Sequence, residues 1–259
     1  MALTFAKPPI NEVVIGQRFS QRPDFLVPHF GQFWMQLIDD YPAVSHMPPL
    51  VEAEREPVVD LSSGSVLPRI WFSSSDETRL VQIQQDRLYF NWRQTEAVKP
   101  AYPRFPAIRA EFDRVFGIFS TYVERELGTP LSLGLLDMSY INVINYEDVD
   151  VESPKDFGRV LRDFAWRDEQ RALPPPRSVG QRHEYDIDEA TRLIITSGSA
   201  SRVSDGSKVL RIELTAREMQ LGLKPRDQWI ADAHEAIVSG FKDVTTAEMH
   251  DECWQLIRE

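Results

Sequence analysis

One cysteine, Cys253, stands in a chain of 259 residues. A single thiol closes no disulfide framework and completes no zinc quartet. Its neighbours Asp251 and Glu252 are acidic, the wrong surroundings for a reactive thiolate, so an inert, partly buried thiol is expected. No stretch approaches the roughly 20 apolar residues that span a bilayer. The opening MALTFAKPPINEVV has neither the cationic start nor the apolar run of a signal peptide. A cytoplasmic protein with no membrane partner is therefore expected. Cations are the minority charge: 29 Lys and Arg against 40 Asp and Glu leave a net charge of −11. Duplex nucleic acid is held through Lys and Arg set against phosphates, so it is disfavoured as a partner. The same acidity suits docking to a basic protein.

Catalytic signatures are missing too. The five histidines, His29, His46, His183, His234 and His250, show no i, i+4 pair, and no cysteine joins them at ligand spacing. There is no G-x-S-x-G elbow, no Walker loop and no dinucleotide-binding glycine fingerprint. Ser62-Ser63-Gly64-Ser65 and residues 198–207 are Ser/Gly-rich, but neither leads into a predicted helix, so plain turns are expected. The acidic run Glu147-Asp148-Val149-Asp150-Val151-Glu152 lacks the glycine and spacing of a calcium loop and reads as a solvated loop. No metal, no cofactor and no catalytic residue is expected.

What is present is periodicity. Glu12–Phe19 alternates as a half-buried strand. Pro28 opens a helix with Phe30, Phe33, Trp34, Leu37 and Ile38 on one face, stopped at Tyr41-Pro42. Residues 42–67, rich in Pro, Ser and acidic side chains, read as a surface excursion with a short edge strand at Val58–Leu61. Arg69–Ser73 is a strand, and Arg79–Gln84 with Leu88–Arg93 is a hairpin across Gln85-Asp86-Arg87. Phe105, Ile108, Phe112, Val115, Phe116, Phe119, Tyr122 and Val123 stripe a long helix that Gly128 and Pro130 end.

Leu131–Tyr146 is apolar on both faces and so reads as a central strand. A short helix at Phe157–Trp166 and a stiff loop over 171–182 follow. His183–Asp188, Arg192–Ser197 and Lys208–Thr215 read as strands, and Asp227–Phe241 as a helix. Thr245 with Glu248 suggests a capping box for a last helix to Ile257.

The order strand, hairpin, helix in Thr78–Leu127 recurs from Thr191 to Phe241. The expected fold is α+β: an antiparallel sheet with helices on one face, divided into an N-terminal half, 1–130, and a C-terminal half, 131–259, packed as one unit. A β-α-β-β-β-α unit used twice resembles the TATA-binding-protein-like element order; a single irregular α+β domain is the alternative.

Alternation also sorts the strands into faces. Val81, Ile83, Leu88, Phe90 and Trp92 should pack on the Phe-rich helix, and Leu193, Ile195, Leu210, Ile212 and Leu214 on the helix from Asp227. The opposite, open face carries Gln82, Gln84, Tyr89, Asn91 and Arg93 in the first half, with Arg69 and Trp71 on the neighbouring strand. In the second half it carries Arg192, Thr196, Arg211, Glu213 and Thr215. Amides, hydroxyls and guanidiniums beside an aromatic suit a polar or acidic partner. A wet sheet face with no partner has the same composition. Arg69, Trp71, Gln82, Gln84, Tyr89, Asn91, Arg93, Arg192, Arg211 and Glu213 are the candidate partner-binding residues.

Three stretches carry a resemblance. They are Pro8-Pro9-Ile10-Asn11-Glu12-Val13-Val14 with Phe19; Leu80–Arg93, closed by Asn91-Trp92-Arg93 and followed by Tyr102-Pro103 and the Phe-rich helix; and the tail around Asp232, His234, Phe241 and Thr245. The chain resembles a family of sporadically distributed bacterial proteins of about this length and unknown function. The resemblance implies one full-length unit without accepted catalytic residues, and its sporadic distribution points to mobile-element or phage-defence neighbourhoods. The leading expectation is a non-enzymatic protein-interaction module, such as an accessory, immunity or antitoxin-like component of a conflict system that binds a basic toxin or effector. The rival is an enzyme or nucleotide-binding protein with a cleft between the halves that uses His234, Asp232 and arginines. Homo-oligomerisation stays open.

Overall fold

The computed structural model describes residues 4–50, 67–167 and 172–257. In chain order the elements are β1 (Thr4–Phe5), β2 (Ile10–Phe19), α1 (Val27–Trp34), β3 (Ala43–Met47), β4 (Arg69–Ser73), β5 (Arg79–Gln84), β6 (Arg87–Arg93) and α2 (Phe105–Leu127). They continue with β7 (Leu133–Asn145), β8 (Gly180–Asp188), β9 (Thr191–Ser201), β10 (Lys208–Glu218), α3 (Arg226–Val244) and β11 (Leu256–Ile257). The fold is α+β, as expected: a nine-stranded antiparallel sheet of order β3-β4-β5-β6-β2-β7-β10-β9-β8, and a two-stranded sheet of β1 and β11. β7 lies between β2 and β10, so it is a central strand, as expected, although Leu133 is exposed and Ile141 and Val143 are only half-buried.

Two units divide the chain, Val14–Leu135 and Met1–Val13 with Leu136–Glu259. The first thirteen residues join the C-terminal unit. Thr4 and Phe5 pair with Ile257 and Leu256, and the Val143 N–H donates to the Pro9 carbonyl at 3.1 Å. Aromatic packing adds to this, with the Phe5 ring 5.6 Å from Phe241 and 6.3 Å from Trp254.

In the unit of Val14–Leu135, α2 presents Ile108, Phe112, Val115, Phe116, Phe119, Tyr122 and Val123 to the core. Phe119 meets Phe19, Phe25 and Phe33 with centroids 5.5, 5.7 and 4.9 Å away. Each fully buried ring stabilises by roughly 1.5–3 kcal/mol. Gly128, in the left-handed region at φ 72°, ends α2. α1 is shorter than its apolar stripe; beyond Trp34 the chain turns loosely to Tyr41. There the Tyr41 hydroxyl donates to Glu111 at 2.6 Å, and Arg114 pairs with both Glu111 and Asp40.

In the other unit, α3 buries Trp229, Ile230, Ala233, Ile237 and Phe241. It lies so close to the sheet that a methyl group on Gly240 would meet Leu193 Cδ2 at 2.7 Å, with Leu214 and Ile195 next.

Several sequence expectations are corrected. The 42–67 excursion opens with a strand, β3, paired to β4; the strand expected at Val58–Leu61 lies outside the described residues. The hairpin turn is two residues, Gln85-Asp86. Phe157–Trp166 is not an α-helix; a 3-10 turn covers Pro154–Arg159 instead. Of the Ser/Gly-rich stretch 198–207, residues 198–201 are strand, the end of β9, and the turn is confined to 202–207. The last helix is replaced by a π turn at Met249–Cys253 and then by β11. Thr245 caps nothing: its hydroxyl donates to the Phe241 carbonyl at 2.6 Å and lies 2.7 Å from His250 Nε2, so two local bonds compete successfully with the cap.

Candidate interaction surface

The register sorts the β4–β6 side chains. Trp71 stands opposite Gln82, Gln82 opposite Tyr89, Leu80 opposite Asn91 and Gln84 opposite Arg87, while Val81/Phe90 and Ile83/Leu88 take the helix-covered side. The predicted division into faces is therefore correct, but its wetness is not. Gln82 is 7% and Asn91 3% exposed, and Leu80 and Arg87 beside them are 1% and 6% exposed.

Burial on an uncovered-looking face needs internal partners. Gln82 supplies most of them. Its Oε1 accepts from Arg69 Nη1 at 2.8 Å and from Trp71 Nε1 at 3.0 Å, and its Nε2 donates to Asn91 Oδ1 at 2.7 Å. Arg69 and Arg93 place their guanidiniums 5.4 and 5.7 Å from the Trp71 ring centroid. Arg93 is held further by donation from Nε to the Glu77 carbonyl at 2.9 Å. The outcome is a closed polar layer of Gln82 and Asn91 beneath a half-exposed Arg69–Trp71–Arg93 row. Burial lowers the pKa of Arg69, and its Nε–H has no hydrogen-bond partner among the described residues. Leaving such a donor unpaired costs about 1–3 kcal/mol.

The remaining candidates of this unit are engaged elsewhere. Gln84 exchanges two hydrogen bonds with the Leu50 backbone, at 2.9 and 3.2 Å, so the chain crosses the face there. The Tyr89 ring lies directly over Gly16 of β2, where a methyl group would come within 1.9 Å of Cε1. Arg87, which the sequence did not single out, forms a bidentate pair with Asp86 at 2.9 and 2.6 Å. Burial alone would lower its pKa, but the bonds and charge of Asp86 outweigh this and raise it.

In the unit that holds β8–β10, Leu193, Ile195 and Leu214 contact α3, as expected. Arg211, Glu213, Thr215 and Arg217 alternate on the other side of β10, all half-exposed. The charges there match one another. Arg211 pairs with Glu213 at 2.7 Å, Arg217 with Asp137 at 3.2 Å, and Arg192 with Asp186 at 2.7 Å and Glu184 at 3.5 Å. A face of matched pairs presents little net field to a partner. Of the ten candidates, then, Arg69, Trp71, Gln82, Asn91 and Arg93 converge, and Arg192, Arg211 and Glu213 belong to local ion pairs.

The residues proposed for a catalytic cleft do not converge. Asp232 binds Lys224 and, at 2.6 Å, Gln228. His234, two residues on and so turned well away around the helix, packs on Tyr140 with centroids 5.9 Å apart. Burial pushes its pKa down to about 4. The run from Glu147 begins as a 3-10 turn, Glu147–Val149, with Asp148 accepting from Asn145 at 2.7 Å. Among the described residues no three His, Cys, Asp or Glu side chains group as a metal ion requires, and no helix is long and apolar enough to cross a membrane.

No protein-family model matches the chain, and no curated protein matches it either. The likeness seen in its three sequence stretches rests on those residues alone.

Proposed function

We propose that the protein is a protein-interaction module without catalysis of its own, and that its contact is centred on Trp71. The supporting observation is the Arg69–Trp71–Arg93 row: an indole half-exposed between two guanidiniums, seated on a pre-formed Gln82–Asn91 layer. Trp and Arg dominate the binding energy of protein interfaces, and side chains already fixed lose little entropy on docking. The two guanidiniums call for carboxylates or carbonyl oxygens on the segment that docks. A carboxylate that drew Arg69 outward would also satisfy its orphaned Nε–H. The net charge of −11 favours a partner that is basic as a whole. The narrower reading, an immunity or antitoxin-like component bound to a basic toxin in phage defence, rests on that charge and on the family resemblance.

Affinity capture from native extract, comparing the wild type with Trp71→Ala and Arg93→Ala, tests the proposal. The expected result is one stoichiometric protein, held at least about 30-fold less tightly by Trp71→Ala, as for a hot spot of 2 kcal/mol. Retention unchanged in both folded variants, or no stoichiometric protein, refutes it. A thermal-shift screen against nucleotides and divalent metals is the check on the ligand-binding alternative. A true ligand at 100 times its Kd stabilises by about 2.7 kcal/mol.

A further inference from the structure

β8 ends the strand order, and eight of its nine residues are exposed. Its inner edge belongs to β9 in the register Gly180↔Gly198 to Asp186↔Arg192. The Ser199 N–H donates to the Val179 carbonyl at 2.9 Å, which makes Val179 and Ser199 a hydrogen-bonded pair. Hydrogen-bonded and non-bonded pairs alternate along an antiparallel ladder. Gln181, His183 and Tyr185 therefore bond inward. The N–H and C=O groups of Gly180, Arg182, Glu184 and Asp186 point away from the sheet, with no acceptor or donor among the described residues. Natural edges are usually blunted by charge, bulges or a cover. Here the bulge comes only at Asp186–Asp188, at the end of the strand, and Tyr185, of the inward-bonding set, is 40% exposed.

The charges on the outward-bonding residues select an occupant. We infer that the free edge of β8 pairs with the β8 of a second copy of this chain, antiparallel, about a twofold axis at His183. That register sets Arg182 opposite Glu184 of the copy twice over, in outward-bonding pairs that exchange backbone hydrogen bonds. Moving the axis by one residue to Glu184 keeps Arg182 opposite an acid, Asp186, but places Glu184 against its own copy; one residue further places Glu184 against Asp186 twice. Like charges directly opposite destabilise a strand pair and opposite charges stabilise it, so the register about His183 stands out as the one with opposite pairs and no like pair. A twofold contact of this kind uses the same patch on both copies and closes on itself, leaving neither β8 edge open to further chains. In the single chain Arg182 and Glu184 pair along their own strand at 2.7 Å, and they exchange that partner for the copy's.

Charge reversal in complementary variants tests this, with sedimentation velocity across a wide concentration range as the readout and circular dichroism to confirm folding. The wild type is expected to show a concentration-dependent dimer. Arg182→Glu alone sets four acidic side chains across the axis, and Glu184→Arg alone sets four basic ones. Each should weaken dimerisation by about tenfold or more. An equimolar mixture of the two variants restores an Arg–Glu match at both positions and should form a heterodimer. A wild type that is monomeric throughout, single variants that dimerise as the wild type does, or weakened variants that fail to combine on mixing would each overturn the inference.

Discussion

Replacing Gly16 with alanine tests whether the face opposite the helices is a packed layer. The added methyl would lie 1.9 Å from Tyr89 Cε1 and 2.0 Å from Cδ1, inside the ring's own volume. β2 lies between β6 and β7, so the ring has to leave. Overfilling a packed site costs about 1–3 kcal/mol. Tyr89→Ala alone forfeits the burial of one face of a half-exposed ring, about 1 kcal/mol on the area scale. The three atoms nearest the new methyl all belong to Tyr89, so in the double variant the clash goes with the ring. Gly16 is not among the glycines at positive φ, so alanine there suits the backbone. It then gains about 0.4–1 kcal/mol by restricting the unfolded chain. The two single costs sum to about 2–4 kcal/mol, whereas the double variant should cost at most about 1 kcal/mol. The coupling is thus about 2 kcal/mol, several times the scatter expected of independent sites. Urea unfolding of the four proteins measures it, with m values checked for constancy. Costs that add to within about 0.5 kcal/mol would show that ring and strand do not touch, and the packed-layer argument would fail with them.

Two further outcomes follow from titrating groups. His234 has a folded pKa of about 4, depressed by burial, against the ordinary 6.5. Both states are neutral above pH 6.5; below it the unfolded chain takes the proton first, so stability falls towards pH 4. The loss attributable to this group between pH 7.5 and 5 is about 2 kcal/mol. His234→Gln should flatten the unfolding profile by that amount, and parallel profiles for variant and wild type would refute it. The Cys253 thiol has its pKa raised by burial and then by Glu252, Glu248, Asp148 and Asp150. Alkylation by iodoacetamide at neutral pH should therefore run slower than for a free small thiol, and equal or faster rates would contradict the assignment.

Which parts of the molecule were legible depended on the range of the interactions that form them. The stripe from Phe105 to Val123 repeats every third or fourth residue, and such a stripe has one way to be buried; α2 appears where it was expected. Arg69–Ser73 and the two arms of the hairpin are equally plain, because alternation over five to seven residues is a local property. Thr245-x-x-Glu248 looked like a cap and was not one. The competing partners, the Phe241 carbonyl and His250, were both within five residues, and no rule of spacing ranks them.

The amino-acid order alone determined the class of fold, the two long helices and the side on which the residues of β5, β6 and β10 lie, since these follow from repeats of two and of three to four. Tertiary structure decided which strands are neighbours, and so set β3 beside β4 and tied Thr4–Phe5 to a strand some 250 residues away. It also decided what became of the polar residues. Alternation places Gln82 and Asn91 on the face away from the helices, but only the lateral register brings Trp71, Gln82 and Asn91 within bonding distance and turns a wet surface into a closed layer. A period reports direction, whereas burial depends on which neighbour arrives across the sheet, and that neighbour is chosen by the packing of the whole unit.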